Sequence, residues 1–188
     1  MIKEEQPDAV ILATGATPYH PEMEGADEAH VVDAWSVISG KANVGSRVTI
    51  ADWRCDWIGL GLAEKLVRDG CHVRLAVNGM TPGETIPQYA RDKWLGTLHK
   101  LKVEIVPYAR LFGVDSDTAY FQHTLSGEPI ILGDTNTLVT ALGHQPDTSL
   151  QTTLSTMGTE FYTIGDCLSA RSVEEAVLEG LRAGCAVV

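Results

Sequence analysis

Apolar and polar positions change their period several times along this chain, and each change marks an element. Residues 8–15, Asp8-Ala9-Val10-Ile11-Leu12-Ala13-Thr14-Gly15, form a continuous apolar run ending in small residues, as in a strand covered on both faces. Residues 16–29 carry Pro18, Pro21 and Gly25 and read as an irregular connection. A short strand is expected at 30–32, and Asp33 can cap a short helix through Ile38. The polar, glycine-bearing stretch 39–46 reads as a hinge.

The next pattern organises the rest. Residues 47–52 read as a short apolar strand, a tight loop follows, and in 57–68 Ile58, Leu62 and Leu66 recur on one helical face. Asp69-Gly70 ends that helix, glycine supplying a left-handed cap, and 71–77 alternates as a second strand. Strand, helix and strand in this order predict a βαβ unit of the dinucleotide-binding type. Residues 78–87 are a loop, and 88–100 have helical spacing through Tyr89, Trp94, Leu95 and Leu98. Four short strand candidates, 103–106, 109–114, 119–124 and 129–132, are separated by turn residues and read as an antiparallel meander. A buried strand at 136–142 stops at Gly143-His144-Gln145-Pro146-Asp147. Residues 150–157 are ambiguous in pattern, 161–164 form a strand running into Gly165-Asp166, and 172–187 form a helix. Its Val173, Ala176, Val177, Gly180, Leu181 and Gly184 suggest a face for close packing. The expected fold is therefore α/β: a three-layer, Rossmann-like parallel sheet with an antiparallel β-meander excursion. The expected division is 47–142 as an inserted domain within a domain formed by 1–46 and 143–188.

Composition narrows the function classes. With 188 residues, 44% hydrophobic and 21% charged, the chain has the make-up of an ordinary globular protein. A net charge of -11 argues against nucleic-acid binding, which needs clustered Lys and Arg to neutralise phosphates. Cys55, Cys71, Cys167 and Cys185 are far apart, so neither a metal site nor an iron–sulfur cluster is expected within the chain. No transmembrane-length apolar run or signal-peptide pattern occurs, which gives a cytoplasmic expectation without membrane partners.

The loop after Ile50 should hold G-x-G-x-x-G if it binds a diphosphate, because glycines let phosphates approach amides at the helix N-terminus. It reads Ala51-Asp52-Trp53-Arg54-Cys55-Asp56-Trp57-Ile58-Gly59, longer by about two residues than the fingerprint, with Gly59 at the third glycine position. Asp52 and Asp56 would repel a phosphate, Arg54 would offset one charge, and Trp53 with Trp57 could stack on an adenine or pack a core or an interface. The second strand ends in Val77-Asn78, without the acid that holds ribose hydroxyls or the arginine that holds a 2′-phosphate. NAD(P)H binding is thus weakly supported. Asp166, in a turn before a helix, can accept from ribitol or ribose hydroxyls or can cap the helix. His144 is the one histidine placed at a strand end in a turn. No catalytic residue stands out: there is no G-x-S-x-G, and no close carboxylate pair stands out for acid–base work.

Three separated motifs resemble the flavoprotein reductases with two dinucleotide-binding domains. Asp8-Ala9-Val10-Ile11-Leu12-Ala13-Thr14-Gly15-Ala16-Thr17-Pro18 looks like their A-T-G motif. Leu138-Val139-Thr140-Ala141-Leu142-Gly143-His144-Gln145-Pro146-Asp147 looks like the strand ending in G-R-x-P-N, with histidine for arginine. Thr163-Ile164-Gly165-Asp166 with the helix after it looks like the second FAD motif. The acid-rich loop before Ile58-Gly59-Leu60-Gly61-Leu62-Ala63-Glu64-Lys65-Leu66 is similar to the C-terminal portion of the NADH:flavin oxidoreductases of the 2,4-dienoyl-CoA reductase and trimethylamine (or histamine) dehydrogenase group.

The resemblance implies an FAD or ADP site lined by Thr14, Gly15, Gly165 and Asp166. It implies a pyridine-nucleotide cleft, where one is used, lined by Asp52, Trp53, Arg54, Asp56, Gly59, Gly143 and His144. FMN and an iron–sulfur cluster are then expected only in an N-terminal TIM barrel, which is missing here together with the first FAD fingerprint. That barrel would be the chain's partner, with an electron-transfer protein or a second copy as others. A disulfide-reductase reading fails for want of a C-x-x-x-x-C pair. The expected function is a C-terminal nucleotide-binding fragment of a flavin-dependent oxidoreductase, inactive alone. The alternative is a degenerate, non-catalytic module for assembly or docking of an electron-transfer partner.

Overall fold

The computed structural model describes residues 2–28 and 30–187, and the side chains from Glu4 onward. Met1 and Ala29, the latter at the end of the expected irregular connection, lie outside the described residues. In chain order the elements begin with α1 (Ile2–Glu5), β1 (Ala9–Leu12), β2 (Ala16–Pro18), β3 (Val31–Asp33) and α2 (Ala34–Ile38). They continue with β4 (Arg47–Asp52), α3 (Trp57–Arg68), β5 (His72–Val77), α4 (Gln88–Lys100) and β6 (Glu104–Val106). Next come β7 (Ala109–Val114), β8 (Ala119–His123), β9 (Pro129–Leu132) and β10 (Thr137–Ala141). The chain closes with β11 (His144–Pro146), α5 (Gln151–Ser155), β12 (Glu160–Thr163), a 3₁₀ turn (Gly165–Cys167) and α6 (Val173–Ala186).

Two compact units form, one from His20–Leu142 and one from Met1–Tyr19 with Gly143–Val188. The first is built on a five-stranded parallel sheet in the order β3-β10-β4-β5-β6. One face carries Val48, Ile50, Leu75, Val77 and Val139, which pack with Ile58, Leu62 and Leu66 of α3, Leu98 of α4 and Val37 of α2. The other face carries Ala51, Ala76 and Leu138, covered by Ala109, Val114, Ala119, Phe121 and Leu132 of the antiparallel sheet β7-β8-β9. Helices, parallel sheet and meander make three layers. With both faces covered, β4 is buried from Val48 to Asp52 and β10 throughout. The one polar residue in the middle of β4, Thr49, meets Thr135 hydroxyl to hydroxyl at 3.0 Å.

The helix signals act as read. Asp33 accepts from Ser36 N–H at 3.0 Å, and Gly70 takes φ +94 beyond the end of α3. Three expectations change. Residues 104–106 join β5 in parallel instead of opening the meander, because a short strand following the helix α4 completes a second βαβ crossover. The segment 20–46 does not belong with the chain termini: β3 hydrogen-bonds to β10, so the boundary lies at 19/20. Residues 16–18 are not irregular and 143–147 are not only a turn, since β2 and β11 pair antiparallel.

In the second unit, β1 and β12 pair in parallel with Leu12 opposite Thr163. A small core of Leu12, Leu154 and Cys167 sits beside them, and 150–157 resolves into α5. The helix α6 carries a capping box in which Ser172 and Glu175 satisfy each other's backbone neighbours. Its expected packing face is only half used. Gly165 and Ile164 approach Ala176 and Gly180, whereas Val173, Val177 and Leu181 are exposed, Val177 at 67%.

Candidate functional site

The sequence-derived residues fall into two groups, one in each unit. In the larger unit, Asp52 ends β4 and Asp56 caps α3, with the loop 53–55 between them. A strand end followed by a helix N-terminus collects unpaired amides, and phosphate oxygens commonly fill that position. Here side chains fill it. Asp52 Oδ1 accepts from Cys55 N–H at 2.9 Å, and Asp56 Oδ1 accepts from Ile58 N–H at 2.8 Å. Arg54 Nε lies 3.3 Å from Asp56 Oδ2. Cys55 turns the loop with φ +51, unusual for a residue bearing a Cβ.

Asp52 is 2% exposed, and its Oδ2 has no hydrogen-bond partner. Burial, and then the Asp56 charge, push its carboxyl up to about 7 against the amide bonds from Cys55 and Arg54. The free oxygen faces α3: a Cβ added at Gly59 would collide with it. The retained glycine thus makes room for an acid of the chain itself. Burial pushes the Cys55 thiol up to about 11, which removes it as a nucleophile near neutral pH. Trp53 and Trp57 are exposed, Trp57 at 60%, so the pair does not pack the core. Sequence reasoning missed Arg110 of β7, whose guanidinium stands 5.6 Å over the Trp53 ring. Only the meander's fold-back could reveal it.

In the smaller unit, Thr14-Gly15 and Gly165-Asp166 follow the C-terminal ends of adjacent parallel strands, the position at which open α/β sheets bind ligands. Gly15 takes φ +79, and a Cβ there would meet open space. Thr14 Oγ1 donates to Asp147 O at 2.8 Å, and Asp147 N–H returns a bond to Gly15 O at 3.0 Å. Gly143, at φ +100, accepts from Tyr19 N–H at 3.0 Å, and His144 sits opposite Pro18 in the β2–β11 pair. Thr14, Gly15, Gly143 and His144 therefore share one unit, and His144 and Gly143 are not part of the unit that holds Asp52.

Asp166 accepts from Arg171 N–H at 3.3 Å. It does not cap α6, because Ser172 holds that position. Glu179 was not foreseen: its carboxylate takes Gly165 N–H at 2.7 Å and pairs with Arg171. The Gly165 bond first, then Arg171, hold the Glu179 carboxyl below its ordinary value. The signal was present as Glu179 two turns into α6, but it reads as a solvated face until the turn folds over it. Among the described residues no group of His, Cys, Asp and Glu could hold a metal ion, and all four cysteines are free. No described helix is long and apolar enough to cross a membrane.

Comparison with known proteins adds relatives to this geometry. No protein-family model matches the chain. It is 26% identical over 181 residues to "Bilirubin reductase" of Mediterraneibacter gnavus, covering 96% of this chain and 28% of that protein. It is 35% identical over 114 residues to "Probable N-methylproline demethylase" of Rhizobium meliloti, covering 61% of this chain and 17% of that protein. The chain thus spans less than a third of the length of each of these relatives. Among solved structures, 6-hydroxypseudooxynicotine amine oxidase of Pseudomonas geniculata N1 superposes with TM-score 0.88 at 21% identity, over 97% of this chain and 29% of that one. Histamine dehydrogenase from Rhizobium sp. 4-9 superposes with TM-score 0.84 at 16% identity, over 93% and 30%. At such identities the structures share the fold.

Proposed function

From a chain related in sequence and fold to the flavin oxidoreductases, we propose that this is the C-terminal nucleotide-binding portion of a larger flavin-dependent oxidoreductase. The observation that carries the reading is the pair of turns Thr14-Gly15 and Gly165-Asp166 beyond the C-terminal ends of β1 and β12. Room at Gly15 suits the close approach of a ligand, and the partly buried Asp166 carboxylate suits ribose or ribitol hydroxyls. FAD or ADP is the group that fits these residues. A bound flavin would supply electron storage; Asp166 would orient its hydroxyl chain, and Glu179 with Arg171 would hold the Gly165 turn in place. The NAD(P)H reading of the larger unit has less support, because that turn is filled with acids.

In this reading the enzyme's FMN, its iron–sulfur cluster and its substrate site belong to a barrel portion outside the chain, and electrons pass among these groups and the nucleotide portion. Two further observations favour a larger parent. An isolated pair of parallel strands makes a poor sheet by itself, and β1–β12 is such a pair. The apolar stripe Val173, Val177 and Leu181 is also exposed. The runner-up, a non-catalytic module for assembly or docking of an electron-transfer protein, draws on the filled turn at Asp52.

The test is to express the complete reading frame that contains this chain and record its visible spectrum. A flavin absorbance accompanied by nucleotide release on denaturation is expected. A colourless protein holding no nucleotide would remove the oxidoreductase reading in favour of the module.

A further inference from the structure

The turn between β4 and α3 has the backbone setting of an anion site, a strand end running into a helix N-terminus, but its amides are already taken. Two of its amides, Cys55 N–H and Ile58 N–H, already bond to carboxylate oxygens. Asp52 is sealed from solvent with one oxygen unpartnered and pressed toward the first turn of α3 at Gly59. Arg54, the nearby cation, is engaged by Asp56. A dinucleotide diphosphate entering here would need these same amides and would face both acids at close range.

We propose that the carboxyl groups of Asp52 and Asp56 stand where a cofactor's diphosphate would lie at the α3 N-terminus, closing this turn to NAD(P)H. Helix N-termini attract hydrogen-bond acceptors and anions whatever their source, so an acceptor already held by the chain takes these amides without the entropy cost a free ligand bears. Gly59 fits the same account: it gives Asp52 space where a fingerprint glycine would give space to the helix–strand packing. The exposed Trp53 and Trp57 then flank a closed turn, and any adenine stacking on them would lack a phosphate anchor. The assignment stands apart from the FAD or ADP reading, which concerns residues of the other unit.

Amide chemical shifts of the isotopically labelled chain test it, with inorganic pyrophosphate and NADH as probes at millimolar concentration. In the native chain the signals of Cys55 to Leu60 should not move saturably with either probe. In Asp56→Ser, which keeps a capping oxygen but removes a charge, pyrophosphate should shift those signals and bind at least roughly tenfold more tightly. Asp52→Asn, which preserves shape, should add to that gain. Saturable shifts at Cys55 to Leu60 in the native chain would overturn the assignment. So would a folded Asp56→Ser chain that binds pyrophosphate no better than native. Signals near Gly15 and Asp166 report on the other unit, so failure of that site is seen separately.

Discussion

The chain runs from a parallel strand through a turn into a helix in both units, and the two passages differ in what meets the helix. Between β4 and α3 the turn is filled by Asp52 and Asp56, and Ile58, Leu60, Leu62, Ala63 and Leu66 are buried. Between β12 and α6 the turn is bridged by Glu179 and Arg171, Gly15 nearby in the unit opens to space, and only Ala183 of the helix is buried. The same local grammar of strand, cap and amphipathic helix therefore says little about binding. Whether amides at the turn are already taken, and whether the helix face is already covered, separates a passage built as scaffold from one built to receive something.

That contrast should appear first in stability. Leu62→Ala opens a cavity under α3 and is expected to cost about 2–5 kcal/mol in denaturant unfolding, whereas Val177→Ala on α6 should stay within about 0.5 kcal/mol. A large loss for Val177→Ala in the chain alone would erase the distinction. The next effect is pH-linked. Asp52 has its carboxyl raised from the ordinary value to about 7, so its favourable state is the protonated one. Stability from that group is full below the unfolded-state value and is lost as pH rises through about 7. Asp52→Asn should therefore unfold at higher denaturant than native at pH 8, by on the order of 3 kcal/mol, and the gap should shrink toward pH 4. A pH-independent gap would mean that Asp52 is solvated.

A smaller effect tests the glycine. Gly59→Ala should destabilise by about 1–3 kcal/mol because its Cβ meets the Asp52 carboxyl. In an Asp52→Ala background the cost should fall by at least about 1 kcal/mol, a coupling that a double-mutant cycle measures. Additive losses would show that Gly59 answers to the backbone instead. Smallest is Ser172→Ala, which removes the α6 capping box at about 1 kcal/mol and should lower helical signal without touching β4.

Much of the frame was legible in the sequence, and the reasons it stopped are physical. Period and capping residues located α2, β4, α3, β5, α4 and the meander, because those elements bury apolar faces, Asp33 caps α2 and Gly70 ends α3. Pairing partners were not legible for three-residue strands: β2 and β11 contain Pro18 and Pro146, which read as turn residues, and β6 looks the same whether it joins β5 or β7. For α6, an apolar stripe says that a helix wants a neighbour, and it cannot say whether this chain provides one. At the site, Asp52 and Asp56 were visible as charges hostile to phosphate. Their bonds to Cys55 and Ile58, and the orphaned oxygen against Gly59, depend on a left-handed Cys55 that no residue pattern announces.

The most direct test of the central claim compares nucleotide retention in the protein made from the complete reading frame. Native protein, Asp166→Ala and Trp57→Ala would be denatured and the released FAD or ADP quantified. The account predicts that native and Trp57→Ala carry the nucleotide and that Asp166→Ala binds it roughly tenfold more weakly, from loss of a charged hydrogen-bond acceptor. Nucleotide kept in Asp166→Ala and lost in Trp57→Ala would contradict it, and would return the binding function to the turn that Asp52 and Asp56 now fill.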